Sequence, residues 1–94
     1  NAYYSLNQNK FVLLGAILRK PFFDSKISDA AIYGGMGFVI AHEIGHAFDD
    51  QGSQFDANGN LTDWWTDKDR KHYENLKQRL IKQANNFEVV PGVF

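Results

Sequence analysis

Phe38-Val-Ile-Ala-His42-Glu-Ile-Gly-His46-Ala-Phe-Asp-Asp50 is the stretch around which the rest of this chain arranges itself. Two histidines at i and i+4 project from one face of a helix, with Cβ atoms about 6 Å apart. At that spacing two imidazoles reach two corners of a zinc tetrahedron, whose Zn–N bonds are about 2.0–2.1 Å. Glu43 follows His42 directly, so its carboxylate would lie beside such a metal rather than on it. There it is positioned to take a proton from water that the metal has acidified. With three His and three Glu in 94 residues, composition alone produces His-Glu-x-x-His in about 0.3% of such chains. The bland alternative is a pair of solvated histidines with an acid between them. The flanks Phe38-Val-Ile-Ala41 and Ala47-Phe48 are apolar, and burying three polar groups without a task is costly.

Upstream, Ser28 is a candidate N-cap, and Asp29 sits in the first turn, where a negative charge suits the helix dipole. A helix is predicted from about 28 to 50. It contains Gly34, Gly35, Gly37 and Gly45, each costing about 1 kcal/mol relative to Ala in a helix interior. Tertiary packing must therefore hold it, with the glycines admitting neighbouring backbone. Strands are predicted within about 1–19: Asn1-Ala-Tyr-Tyr4, a turn over Ser5–Asn9, then the apolar run Lys10–Arg19, read as a strand buried on both faces. Pro21 should end that ladder.

Downstream, Gln51–Asp63 reads as a loop with a tight turn at Asn58-Gly59. Thr66-Asp-Lys-Asp69 opens an amphipathic helix to about residue 86, with Tyr73, Leu76, Leu80, Ile81 and Ala84 at helical spacing. A short apolar strand closes the chain. The predicted fold is α+β, a single unit over 1–94: N-terminal strands on the long helix, a loop, a second helix and a terminal strand around one modest core.

Composition narrows the function. Ten Lys+Arg against eleven Asp+Glu give a net charge of −1, without the basic excess of a nucleic-acid binder. No apolar run approaches the ~20 residues of a membrane span. The absence of Cys removes thiolate metal sites, disulfides and a cysteine nucleophile. Asn1 is not a translation start and Phe94 closes an apolar stretch, so the chain reads as an internal piece of a longer protein.

A metzincin would carry Gly at 49 and a third His at 52, but the chain has Asp49 and Gly52. Asp49 and Asp50 lie near the same face as His46. They read as acceptors that orient a histidine ring, with direct ligation as the alternative.

Several motifs in order carry a resemblance. His42-Glu-Ile-Gly-His-Ala-Phe-Asp-Asp50, preceded by Tyr33-Gly-Gly35, is similar to the active-site helix of the neprilysin/endothelin-converting-enzyme family of zinc endopeptidases. Asn1-Ala-Tyr-Tyr4, Ile17-Leu18, Pro21-Phe-Phe23, Gly59 and Asp63-Trp-Trp-Thr66 extend the likeness over most of the chain. The resemblance implies a gluzincin within a thermolysin-like catalytic domain, with zinc on His42 and His46 and Glu43 as general base. Its third ligand is a Glu from a downstream helix, in a motif that does not occur after position 46. The fragment alone is therefore expected to be inactive. The likeness further implies that Asn1 and Ala2 hold substrate backbone as an added strand. Ile17, Phe22, Phe38 and Val39 fall where relatives line an apolar pocket, favouring cleavage before bulky hydrophobic residues; plain core packing is the alternative for each. The implied partners are peptide or small-protein substrates and the remainder of the parent catalytic domain, with the parent outside the cytoplasm.

Leu13-Leu-Gly-Ala16 departs from the family pattern, and Arg79 stands where animal members usually carry a disulfide-forming Cys, which suggests a bacterial-type member. Asp56-Ala-Asn-Gly-Asn60 only faintly suggests a calcium loop, because its Gly is at position 4 rather than 6. His72 is expected to be exposed, and Trp64 and Trp65 to be packing residues. A non-catalytic zinc-binding or interaction module is the alternative from another class. An aminopeptidase-type gluzincin would need an acidic anchor for a substrate amino terminus, which is not evident.

Overall fold

The computed structural model describes residues 1–94, in two compact units, 1–64 and 65–94. The first opens with an antiparallel hairpin, β1 (Ala2–Ser5) and β2 (Lys10–Leu13), in the register Ala2↔Leu13 to Ser5↔Lys10. Asn9 closes its loop at φ 47°, a left-handed position that Asn tolerates better than most residues. The Tyr4 hydroxyl donates to the Asn9 side chain.

The strand expected through Arg19 stops at Leu13. The Leu14 N–H still bonds the Asn1 carbonyl, but the Leu14 and Gly15 carbonyls then accept from Ile17 and Leu18, winding Gly15–Ile17 into a 3-10 turn. The run is apolar throughout, so hydrophobicity alone carried no mark of this change. Nor is it buried on both faces: Phe11, Leu14 and Leu18 are exposed.

From residue 29 to 48 the backbone is helical throughout, in successive hydrogen-bond patterns. These are α1 (Asp29–Ile32), a π-helical turn (Tyr33–Gly37), α2 (Phe38–Gly45) and a 3-10 turn (His46–Phe48). Ser28 caps the start, its hydroxyl accepting from the Ala31 N–H at 3.3 Å. The helix ends two residues before the expected Asp50, because Asp49 is extended at ψ −173°. At the π turn, a Cβ on Gly35 would stand 2.7 Å from the Phe22 carbonyl oxygen, so glycine permits the crossing of the 21–23 segment. The hairpin packs against α2.

Beyond the helix, a 3-10 turn (Gly52–Gln54) leads into a loop closed by a Phe55↔Leu61 bridge. The Asp56 carboxylate accepts the N–H groups of Asn58 and Asn60, and Gly59 takes φ +78°. This loop docks on the hairpin tip, where Asn9 Nδ2 donates to the Ala57 carbonyl at 3.0 Å.

The second unit is built on α3 (Asp67–Asn85). Its N-cap Thr66 accepts from the Asp69 N–H at 3.1 Å, so the helix opens where the capping pattern placed it. Trp65 lies against Tyr73, with ring centroids 5.0 Å apart. The expected terminal strand is confined to one Val90↔Val93 bridge around Gly92 at φ +80°.

The expected core is nearly absent. Met36 is the one buried hydrophobic residue, at 5% exposure, while Tyr33 and Phe38 are exposed at 78% and 67%. No helix is long and apolar enough to cross a membrane.

Candidate metal centre

His42 and His46 leave α2 and the following 3-10 turn on the same side, one helical turn apart. Their Nε2 atoms are 3.2 Å apart, and the rings meet edge to face with centroids at 4.8 Å. Two imidazole nitrogens that close share either a proton or a cation. For a tetrahedral ion with bonds of about 2.0–2.1 Å, the N···N edge is about 3.3 Å. The observed separation fits it. With Glu43 included, the potential ligand atoms of the three residues all lie within 4.8 Å of one another. Glu43 is the one buried charged residue, at 7% exposure, although the helix around it is largely uncovered.

Asp49 fixes the orientation of His46. Its Oδ2 lies 2.8 Å from His46 Nδ1, and a carboxylate only accepts, so Nδ1 carries the hydrogen. The neutral ring then presents its Nε2 lone pair toward His42. The other carboxylate oxygen accepts the N–H groups of Gly52 at 2.7 Å and Gln51 at 3.1 Å. The hydrogen bond to Asp49, above all, raises the His46 pKa from its ordinary value of 6.5; partial burial works against it, and the charges of Asp49 and Glu43 add to it. For Asp49, burial is the largest single influence and pushes upward. The bonds from His46, Gly52 and Gln51 together outweigh it, leaving the carboxyl below its usual range.

An open cleft of about 450 Å3 is lined by Asn1 and by Ala2 and Tyr4 of β1 together with His42, Glu43, His46 and Asp49. The remaining candidates lie outside this cleft. Phe38 flanks His42 with ring centroids at 6.3 Å, Phe22 crosses the helix at Gly35, and Ile17 and Val39 are half-buried. Asp50, grouped with Asp49 on the sequence, is exposed and engaged through its carbonyl, which accepts from Gln54 Nε2. Tyr4 and Gly52 were not singled out as site residues. The signal for Gly52 was present in Asp49-Asp-Gln-Gly52, an aspartate followed by glycine at turn spacing.

The model of peptidase family M13 matches residues 1–93. A neutral endopeptidase of Lactococcus lactis subsp. cremoris is 46% identical over 92 residues, which are 98% of this chain and 15% of that protein. Mouse neprilysin is 42% identical over 87 residues, 93% of this chain and 12% of its own length. Among solved structures, the Mycobacterium tuberculosis zinc metalloprotease Zmp1 in complex with an inhibitor superposes with TM-score 0.84 at 51% identity, over 94% of this chain and 13% of that one. PepO from Lactobacillus rhamnosis HN001 gives 0.85 at 34% identity, over 94% and 14%. The chain thus spans about one-seventh of the relatives it matches. A match over nearly every residue makes this chain a member of peptidase family M13.

Proposed function

We propose that residues 1–94 supply part of the active site of a zinc-dependent metalloendopeptidase. The observation that carries this reading is the His42–His46 Nε2 separation of 3.2 Å on one helical turn, with Glu43 buried beside it. His42 and His46 would hold the metal. A Glu from outside residues 1–94, as the family resemblance implies, would complete the ligand set. Bound there, zinc supplies Lewis acidity that polarises a carbonyl and lowers the pKa of water.

The chain's own residues do the rest. Asp49 keeps the His46 hydrogen on Nδ1, so that Nε2 stays free to ligate. Glu43 accepts a proton as a water oxygen adds to the scissile carbonyl carbon. It then passes that proton to the leaving nitrogen as the C–N bond breaks. Asn1 and Ala2, which line the same cleft as Glu43, hold the peptide substrate as a strand added to β1. Ile17, Phe22, Phe38 and Val39 lie outside that cleft; the family resemblance, rather than the cleft's lining, assigns them a preference for a bulky hydrophobic residue after the cleaved bond, and the parent protein works outside the cytoplasm.

Glu43→Gln in the intact peptidase tests the reading, because it preserves shape and removes the base. Expected is a loss of kcat of about 10²–10⁴-fold with zinc affinity retained. Unchanged kcat, or loss of zinc in parallel with loss of activity, would remove Glu43 from the role of base.

A further inference from the structure

We infer that Gly52 is a positioning residue for His46: the missing side chain lets the turn after the helix seat a backbone N–H on the carboxylate that holds the His46 ring. The inference rests on the reading of His46 as a zinc ligand.

The contacts form a closed chain. His46 Nδ1 donates to Asp49 Oδ2 at 2.8 Å, and Gly52 N donates to Asp49 Oδ1 at 2.7 Å. The Ser53 N–H fastens the same turn to the Asp49 carbonyl at 2.9 Å. Gly52 is buried, and a Cβ there would stand 1.8 Å from the His46 carbonyl oxygen and 2.8 Å from the Ala47 carbonyl carbon. Both are backbone atoms at the helix end and cannot swing aside as a side chain would. Gly52 has no positive φ, so the demand is for room rather than for a left-handed conformation. Any larger residue must lift the 51–54 turn, and the N–H groups of Gln51 and residue 52, which both bond Oδ1, leave Asp49 with it. A carboxylate held at both oxygens cannot rotate about its Cβ–Cγ bond, whereas one released at Oδ1 can. The His46 ring then loses its fixed partner.

Gly59 provides the comparison. Its Cβ would stand 1.9 Å from the Asn7 carbonyl oxygen, an equally forbidden approach, but it has no contact with Asp49. Removing an outer partner of a metal-bound histidine costs about 10–100-fold in metal affinity. The experiment is therefore zinc affinity by chelator competition in the intact peptidase, for the wild type, Gly52→Ala, Asp49→Ala, the double variant, Gly59→Ala and His46→Ala. Gly52→Ala is expected to weaken zinc by about 10–100-fold. It should add little in the Asp49→Ala background, because two links of one chain do not add. Gly59→Ala should lower thermal stability with zinc affinity retained.

Wild-type affinity in Gly52→Ala, or full additivity with Asp49→Ala, overturns the inference while leaving the zinc reading intact. An unchanged affinity in His46→Ala overturns the zinc reading itself. If Gly52→Ala does not fold, selective ¹⁵N-glycine labelling of the zinc-free wild type takes its place. The Gly52 amide resonance should move on Asp49→Asn and again on adding zinc, and a resonance that responds to neither overturns the inference.

Discussion

Asp49 and Asp50 are the same residue type in adjacent positions, yet the fold separates their duties. Asp49 leaves the helix in an extended conformation and turns its carboxylate back onto His46. The consequence is measurable in zinc-free protein. His46 has a folded pKa above 6.5, so its contact with Asp49 contributes stability below pH 6.5 and loses it as pH rises through that higher value. Asp49 has a folded pKa below 3.8, so its share is present above pH 3.8 and is lost as pH falls through that lower value. The contact is thus fully effective between about pH 3.8 and 6.5, though its partial exposure keeps the effect small. In an NMR titration with chelator present, Asp49→Asn should bring the His46 midpoint down toward 6.5. A midpoint that stays high in that variant removes Asp49 as the cause. At this scale the paired histidines and Glu43 were legible in sequence because helical spacing alone sets which side chains share a face. The choice of Asp49 over Asp50 was not, because it depends on where the helix stops, and that is set by bonds to Gln51 and Gly52.

The helix that carries His42 and His46 is a chain of local compromises. Its glycine-rich middle widens into a π turn, where the Phe38 N–H bonds the carbonyls of Gly35 and Tyr33. Gly35 also faces the Phe22 carbonyl oxygen at a distance that leaves no room for a side chain, while Gly34 faces nothing within 4 Å. Gly35→Ala in the intact peptidase is expected to cost about 1–3 kcal/mol, because backbone rather than a flexible side chain must give way. Gly34→Ala should cost less, and similar melting temperatures for the two variants would show that the crossing of 21–23 is not tight. The caps at Ser28 and Thr66 were legible because a hydroxyl three residues before a free N–H is a purely local device. The end of β2 and the π turn were not. One follows from carbonyls committed to a 3-10 turn and the other lies where the 21–23 backbone crosses at Gly35, and neither leaves a periodic signature.

Across the whole chain, the limiting quantity is burial. Twenty large hydrophobic side chains are exposed and one hydrophobic residue, Met36, is buried. That inventory does not resemble a self-sufficient domain of 94 residues, in which the entropy of ordering each residue must be met by apolar surface leaving water. The exposed residues are ordinary core formers: Phe38 and Ile44 on α2, Leu76 and Leu80 on α3, Val89, Val90 and Phe94 at the end. Their apolar character was legible in composition, but the partners they require were not, since nothing in a 3.6-residue period says what covers a face. The chain spans about one-seventh of the relatives it matches, and under the reading proposed above the rest of a larger catalytic domain would cover these residues. Residues 1–94 in isolation should therefore unfold without a sharp transition, with a urea m-value below the ~1 kcal/mol/M floor of small cooperative proteins. They should bind a hydrophobic dye before any denaturant is added. Peptide hydrolysis by the isolated chain should be absent with or without zinc, because two imidazoles and one carboxylate on a helix so largely uncovered hold neither the metal nor the water in place. A cooperative urea transition together with chelator-sensitive cleavage would show instead that these 94 residues carry both a stable core and a complete site.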